Sequence, residues 1–470
     1  MRVTGLDRRY AAADWPSEEG TRGRRESARR EGRRNNLATR SLVLACCVGI
    51  IDAVTVTDAP STTSETLQAK PSVVSGTSPL ATGFRSRFFT EDDYRRFHAR
   101  APRYDSENTF FAEDFAELVD AGYLKAPLPE RLGGFGLSLT ELAREQRHLA
   151  YWAPATALAI NMHLYWAGSA AEASARGVAD VQWLLNDIAE GKVFAAGHGE
   201  PGNDVGLDDA LARAVPQPDG SYRITGRKVF TSLTPVWDHI GIHARDDSDP
   251  HNPVIVHTFV SRNDPGVRVE ETWDALGVRA TASHDTVFDQ ALAEAHKTVA
   301  VHPVGPIYPD YVGILLSWYL PLLSSVYFGI ARRALDLAIL GAQTRTSLRD
   351  GVALHAHKPA VQRQIAQAEI KLEAASALVD AVTRPEPGAW PALRALAAKE
   401  FATTTAREVV DIAVQVVGAS SVSRRHELER LYRDVRTGSL HPPNTDAVLE
   451  AIGAVALGQG PKPAPDPGEG

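Results

Sequence analysis

The chain has 470 residues, of which 44% are hydrophobic and 23% are charged. This is the composition of an ordinary globular protein, and it excludes a disordered polymer, a collagen-like fibre and a disulfide scaffold. The formal net charge of −8 makes nucleic acid an unexpected partner. The two cysteines, Cys46 and Cys47, are adjacent near the start of the chain. The main body therefore has no thiol chemistry and no cysteine-bound zinc, and we predict no metal site.

We find no apolar run of about 18 residues, the length that a membrane span needs, and so predict no membrane partner. We also predict a cytoplasmic location. Residues 1–84 predict a disordered basic extension and linker. The first 40 residues hold 11 Arg against 6 acidic residues, residues 42–51 are apolar, and residues 52–83 are rich in Thr, Ser and Pro. A signal peptide has a similar order, but here the basic region is long and no clear small-x-small cleavage site follows. The Pro- and Gly-rich residues 460–470 predict a disordered tail.

The main body predicts three domains in the order helices, strands, helices. Residues 85–190 predict a helical domain, in which Phe111, Phe115 and the apolar residues after them recur at helical spacing. Residues 191–305 change to short β-like runs separated by turn signals such as PDGS and NDPG, which predicts an antiparallel β-domain. Residues 306–459 return to long amphipathic runs typical of a helical bundle. The expected fold class is therefore α+β.

Five short strings in the main body are candidates for functional motifs. They are PLPERLGGFG (127–136), GHGEPGND (197–204), ITGRKVFTS (224–232), LGVRATASHD (276–285) and LYRDVRTGSLHPPNTD (431–446). Each string alone is a weak signal, but their order and spacing resemble the acyl-CoA dehydrogenase superfamily. That resemblance implies an N-terminal helical domain, a middle antiparallel β-domain and a C-terminal four-helix bundle. It also implies a flavin, FMN or FAD, bound between the β-domain and the bundle, and a homotetramer.

A flavin ring needs an apolar or aromatic wall and hydrogen-bond donors along its polar edge. By the resemblance, Gly199 and Glu200 lie in the string that contacts the ring, with Gly199 where the family usually has a hydroxyl residue. Phe230 stands at the position of the wall tryptophan, and Ser232 at that of the threonine that contacts flavin N5. Without the resemblance, Phe230 would be interpreted as β-domain core and Ser232 as a turn residue.

A substrate pocket is implied by three further segments that match the family. Its candidate residues are Asn161, His163, Arg279, Thr281, Ser283, Trp318 and Tyr319. Each has a simpler interpretation. The histidine and the aromatic residues on apolar helices are more often packed core, the arginine would be solvated, and the hydroxyls would begin a strand.

Phosphate contacts are implied for Arg345 at the end of one bundle helix, and for Gln415 and Gly418 at the end of another. In the family, two more glycines follow Gly418, whereas this chain has Ala419 and Ser421. Because glycine allows close backbone approach to a pyrophosphate, their loss leaves both FMN and FAD open.

A dehydrogenase of this family needs a base that removes the substrate α-proton. In most members it is a glutamate shortly after an Arg-Asp dipeptide, here Arg433-Asp434, and the register places His441 and Pro442 on the family's Tyr-Glu. A minority of members carry the glutamate on the first bundle helix, where this chain has Tyr319. Neither position holds a carboxylate.

The empty base positions favour a flavin-dependent monooxygenase similar to dibenzothiophene monooxygenases. The resemblance then implies that a separate flavin reductase supplies reduced flavin, that a C4a-hydroperoxyflavin forms with O2, and that a small-molecule substrate is oxygenated. His441 and Ser232 are the expected catalytic residues, with His441 donating a hydrogen bond to the hydroperoxide or the flavin. Otherwise His441 is only a helix-start residue.

Two alternatives remain open. The first is an FAD-dependent acyl-CoA or acyl-carrier-protein dehydrogenase with a non-standard base, which would pass electrons to an electron-transfer flavoprotein. The second is a non-catalytic member that binds flavin or an acyl group.

Overall fold

A computed structural model describes residues 84–202, 206–305, 310–347, 354–384 and 391–459. The predicted tail, and all of the predicted basic extension and linker except its last residue, lie outside these ranges. The described chain folds as the α+β architecture expected, with helices, then a sheet, then helices.

The N-terminal helices carry clear start signals. Thr90 and Ser138 each form a capping box with the acidic residue three positions later, which satisfies free N–H groups of the first turn. The fourth helix starts with Pro154 and ends at Gly177 with φ +67°, a left-handed conformation that favours glycine. The helices are α1 (Glu91–Glu107), α2 (Ala112–Asp120), α3 (Leu139–Trp152), α4 (Pro154–Arg176) and α5 (Gln182–Ala189).

In the residues that the structure describes, the middle domain is one sheet of eight strands. They are β1 (Phe194–Gly197), β2 (Arg213–Pro216), β3 (Tyr222–Thr231), β4 (His239–Asp246), β5 (Val254–Ser261), β6 (Val267–Glu270), β7 (His284–Ala293) and β8 (Ala300–Pro303). Their order is β6-β7-β3-β2-β4-β5-β8, with β1 also paired to β4.

The sheet is not antiparallel throughout, so the sequence prediction was wrong for two pairings. Five strand pairs are antiparallel, but β1 pairs parallel with β4, and β2 meets β4 in a single parallel residue pair. The alternation of apolar and polar residues tells which face of a strand is buried. It does not tell in which direction a distant partner strand runs.

Within its described ranges, the C-terminal bundle has three long helices and two short ones. They are α6 (Asp310–Thr344), α7 (Pro359–Val382), α8 (Pro391–Val417), α9 (Glu427–Asp434) and α10 (Thr445–Ala456). Helix α6 packs against α7 and α8 within the bundle and also against α3 and α4 of the N-terminal domain. It is the most central helix of the described chain.

Helix α6 corrects the statement that the chain has no apolar run of membrane-span length. Its residues from Tyr311 to Ala331 carry no charge, and by length and composition alone it could cross a membrane. However, 83% of its most apolar window is buried inside the protein. The core helix of a bundle has the same properties, because other helices surround it.

Candidate functional site

Three of the predicted hydroxyl residues meet where β3 ends and β7 begins. Ser232 Oγ lies 2.8 Å from Ser283 Oγ, and Thr281 Oγ1 lies 2.7 Å from the same Ser283 oxygen. The two segments are also joined through the backbone, since the Leu233 N–H donates to the Thr281 carbonyl at 3.2 Å. The structure therefore forms a hydroxyl cluster from residues that are about 50 positions apart.

The backbone around this hydroxyl cluster is unusual. Four residues other than glycine have left-handed φ angles there: Phe230 at +59°, Leu233 at +66°, Val278 at +49° and Ala282 at +45°. Such angles are unfavourable for residues with a side chain and persist only where the surroundings impose them. Their concentration in two facing loops is typical of a functional site.

Phe230 is not a core residue, so its simpler interpretation was wrong. Its side chain is 68% exposed, and its ring meets Trp273 edge to face at 6.2 Å. The Trp273 indole in turn donates to the Arg279 carbonyl at 2.8 Å. Phe230 thus presents a free aromatic face beside the hydroxyl cluster, which is what a flat ring needs as a wall.

Gly199 lies directly beside this end of β3. Its carbonyl accepts the Val229 N–H at 2.9 Å, and a Cβ at this position would lie 3.1 Å from the Val229 carbonyl oxygen. A larger residue here would therefore require β3 to shift by a few tenths of an ångström.

The Glu200 side chain is bound within the protein, so a cofactor contact at this residue stays a prediction for its backbone. It is buried, accepts the Lys228 ammonium at 2.8 Å and accepts the backbone N–H groups of Leu211 and Ala212. Burial would raise the pKa of Glu200, but the Lys228 charge and these donors lower it below its usual value. Burial lowers the pKa of Lys228 to about 8. The pair anchors the loop that carries Gly199.

His163 and Asn161 are core residues, contrary to the pocket prediction. His163 is fully buried, accepts the Phe194 N–H at Nδ1 and contacts the Leu124 carbonyl through Nε2. Burial lowers its pKa to about 4, so it stays neutral. Asn161 is also fully buried and accepts from Gln146 at 3.1 Å.

Arg279 is partly exposed and anchors its loop. Its Nε donates to the Asp105 carbonyl at 2.9 Å, and its Nη1 donates to Asp274 and to the Ala275 carbonyl. These bonds join the loop that carries Thr281 to helix α1. A role for Arg279 in a substrate pocket stays a prediction.

Trp318 is a core residue, while Tyr319 stays a pocket candidate. The Trp318 side chain is buried, donates to Glu172 at 2.6 Å and covers Gly168, where any Cβ would collide with its ring. Tyr319 is only partly buried and meets Tyr165 edge to face at 5.3 Å.

The three residues expected to contact phosphate lie together at the ends of α6 and α8. Arg345 Nη1 donates to the Val417 carbonyl at 2.8 Å, beside Gly418, whose φ is +76°. Gln415 is exposed one turn earlier and contacts Gln364 at 3.3 Å. Across the described ranges, no hydrogen bond joins this group to the hydroxyl cluster.

His441 lies in a polar cluster that the sequence analysis did not foresee. Its Nε2 is 2.7 Å from Tyr327 Oη, which is 2.7 Å from Thr437 Oγ1. The Lys399 ammonium donates to the main-chain oxygens of His441 at 3.1 Å and Pro443 at 2.9 Å. Burial, and then the Lys399 charge, lower the pKa of His441 to about 3. The imidazole is therefore neutral.

Of these missed residues, only Lys399 had a signal in the sequence. It stands on the buried face of α8, at helical spacing from Ala395, Ala402 and Ala406. A lysine on such a face needs polar partners. Tyr327 is 110 residues from Thr437, and no local pattern predicts that contact.

The residues present fit a flavin ring at the end of β3. Phe230 offers an exposed aromatic face, and Ser232 offers a hydroxyl. The two loops beside them contain residues with left-handed φ angles, so their backbone conformation is fixed by the surrounding structure. The exposed Arg345 and the partly buried Gly418 could contact a phosphate.

The sequence matches three domain models of one family. They are the acyl-CoA dehydrogenase N-terminal domain over residues 87–174, the middle domain over 196–291 and the C-terminal domain over 321–446. The chain belongs to the acyl-CoA dehydrogenase family, as the order of its motifs indicated. The expected fold class is thereby confirmed.

Its relatives have different activities. YdbM of Bacillus subtilis (strain 168), whose naming as an acyl-CoA dehydrogenase is itself provisional, is 32% identical over 77% of this chain and 93% of its own length. L-evernosamine nitrososynthase of Micromonospora is 30% identical over 77% of this chain and 87% of its own. The solved structure of KijD3 with FMN and an amino-sugar nucleotide has a TM-score of 0.70 and 25% identity, and covers 79% of this chain and 93% of KijD3.

Proposed function

We propose that this protein is a flavin-dependent monooxygenase that uses reduced flavin and O2 on a small-molecule substrate. The observation that carries the proposal is the polar cluster of His441 and Tyr327 beside one of the two positions where dehydrogenases keep their base. In the part of the chain that the structure describes, neither side chain has a carboxylate hydrogen-bond partner. The similarity to a nitrososynthase and to KijD3 with its FMN supports the same chemistry.

The residues of this chain would bind and orient the flavin and the substrate, and would not themselves donate electrons. Phe230 provides the wall and Ser232 a hydrogen bond for the ring, while the neutral His441 can bond to substrate without adding charge to the site. Reduced flavin, when bound, would supply the two electrons with which one oxygen atom enters the substrate and the other leaves as water. On the family resemblance, we also propose that a separate flavin reductase supplies that flavin. We also propose a homotetramer in the cytoplasm, on the family resemblance alone.

The test follows flavin reoxidation directly. The full-length protein is mixed with reduced FMN, and separately with reduced FAD, and then with oxygenated buffer. We expect the protein to slow the return of oxidised-flavin absorbance and to suppress hydrogen peroxide release, most strongly with the preferred flavin. Ser232→Ala should weaken both effects, whereas Ser106→Ala, which removes an exposed hydroxyl on α1, should not. Reoxidation at the protein-free rate would contradict the proposal.

A dehydrogenase is the second candidate. It is favoured by the similarity to YdbM and by the raised pKa of Asp434. Asp434 is buried, and burial raises its pKa to about 6, which is in the range of a working base. Its Oδ1 already accepts the Val278 N–H at 2.6 Å, which argues for a structural role. Anaerobic bleaching of bound oxidised flavin by an acyl thioester, lost in Asp434→Asn, would establish this alternative. Flavin binding with neither response would instead support a non-catalytic member.

A further inference from the structure

The polar cluster at His441 is a chain of hydrogen bonds with a fixed direction. Thr437 Oγ1 donates to the Asp434 main-chain oxygen at 2.8 Å, and a carbonyl can only accept. The single Thr437 proton is used there, so its contact with Tyr327 Oη requires Tyr327 to donate. The single Tyr327 proton is then used as well. The 2.7 Å contact between Tyr327 and His441 therefore requires His441 Nε2–H to donate.

This direction selects one tautomer of His441. A neutral imidazole carries one proton, so a proton on Nε2 leaves Nδ1 as a bare acceptor. In the described ranges, Nδ1 has no hydrogen-bond partner, and it is not among the enclosed side-chain atoms. The sequence analysis expected His441 to donate to the flavin side, and the geometry reverses that role.

The surroundings hold His441 in place from both sides. Lys399, on α8 and fully buried, fixes the main chain by its bonds to the oxygens of His441 and Pro443. Gly438 packs so closely that an added Cβ would lie 2.9 Å from the Tyr327 ring. The buried ammonium also opposes protonation of the imidazole. Lys399 is a positioning residue in this arrangement.

We infer that His441 presents Nδ1 to the substrate as a hydrogen-bond acceptor, and that the site takes substrates bearing an N–H or O–H donor. The inference on substrate class rests on the proposed function, whereas the tautomer does not. A neutral amine that gives an N–H to Nδ1 keeps its nitrogen lone pair free for oxygenation. A thioether or an aromatic sulfur has no proton to give, so the site favours nitrogen compounds over sulfur compounds of the same shape.

The tautomer is tested by nitrogen NMR of the full-length protein labelled with ¹⁵N-histidine, with His441 assigned by the signal lost in His441→Gln. At pH 7 we expect a protonated Nε2 and an unprotonated Nδ1. Thr437→Val removes the acceptor of the Tyr327 proton, so Tyr327 turns its proton to Nε2 and the tautomer inverts. Thr383→Val is the matched control, because its Oγ1 also donates to a carbonyl three residues earlier, that of Asp380, and also accepts from a hydroxyl, that of Thr140.

A proton on Nδ1 in the unaltered protein would overturn the inference, and so would a Thr437→Val spectrum like that of the control. These outcomes are read without turnover, so they are independent of the reoxidation test for the proposed function.

The substrate class is tested with indole and benzothiophene, which differ in an N–H and a sulfur. Added to the flavin-loaded protein, indole should shift the His441 Nδ1 signal and bind at least about fivefold more tightly, a modest hydrogen-bond contribution of about 1 kcal/mol. Thr437→Val should abolish the preference. Lys399→Met should leave the fold intact by circular dichroism but give mixed tautomers. Equal affinities, or no response at Nδ1 to either probe, would overturn the substrate assignment.

Discussion

Burial, rather than residue type, separates the functional candidates from the core at the residue scale. His163 and His441 are both neutral histidines with lowered pKa, yet the first has both ring nitrogens bound within the core and the second has one free. Phe230 is exposed beside the hydroxyl cluster, whereas Phe194 and Phe259 are buried in the same sheet. No residue name distinguishes these cases.

The Lys228–Glu200 pair gives a prediction for a single residue. Its two side chains are 0% and 1% exposed. Lys228→Met leaves a buried carboxylate without its counter-charge, and we expect the free energy of unfolding to fall by about 3–5 kcal/mol. Urea unfolding measures this change. Flavin affinity should fall as well, because Glu200 anchors the loop of Gly199.

The control for this prediction is Lys192→Met. Lys192 forms an ion pair of 3.5 Å with Asp238, but both side chains are solvent-exposed, at 48% and 36%. Pairs of this kind contribute only about 0–1 kcal/mol. If the two variants lost similar stability, the Lys228–Glu200 pair would not be an anchor.

Strand register creates a feature at the element scale that no single segment contains. His198 follows β1, and the register places it beside His243 of β4, which pairs with His257 of β5. His302 of β8 completes a row of stacked imidazoles, with ring centroids 5.2 to 6.0 Å apart. Burial lowers the pKa of all four, to about 3 for His198, which also faces Lys228. The row is therefore neutral at pH 7.

This histidine row predicts a loss of stability in acid. Below pH 6.5 the unfolded chain binds protons that the folded row excludes, so stability falls as the pH drops from 6.5 towards 4. Each histidine can lower the free energy of unfolding by at most about 1.4 kcal/mol per pH unit. Asp114 and Asp434, whose pKa values are raised to about 6, act in the opposite direction. His257→Gln should give a shallower acid slope in urea unfolding from pH 7 to 5 than the unaltered protein.

His251→Gln is the comparison for that slope. His251 is exposed in the turn between β4 and β5, away from the histidine row. We expect its slope to equal that of the unaltered protein. An unchanged slope in His257→Gln would mean that the row does not exclude protons.

The described part of the molecule is organised around α6, and two glycines mark where α6 packs closely against the N-terminal domain. A Cβ on Gly168 of α4 would collide with the Trp318 ring, and a Cβ on Gly329 would collide with the Arg147 carbonyl of α3. The N-terminal domain thus packs on α6 with almost no space, and α6 joins that domain to the bundle.

Gly329→Ala therefore tests the central packing. We expect it to destabilise the protein by about 1–3 kcal/mol, because the added methyl group forces α3 and α6 apart. Gly341→Ala, on the same helix, meets only Val417 at an ordinary 3.5 Å. It should be neutral or stabilising by up to about 1 kcal/mol, since alanine favours the helix. Thermal unfolding measures the change in stability of both variants. A change of the same sign in both would contradict the packing argument.

The sequence by itself determined the family, the α+β class and the order of domains, because helical and strand periodicity and the spacing of motifs are local properties. It also predicted a site that includes Phe230, Ser232, Thr281 and Ser283, since each lies in a motif. Only the tertiary structure decided which candidate side chains are accessible and which are buried in the core. It assigned His163, Trp318 and Glu200 to the core, gave β1 its parallel partner, and brought Tyr327, Thr437 and Lys399 to His441. Those outcomes depend on contacts between residues far apart in the chain, and on burial that only packing creates.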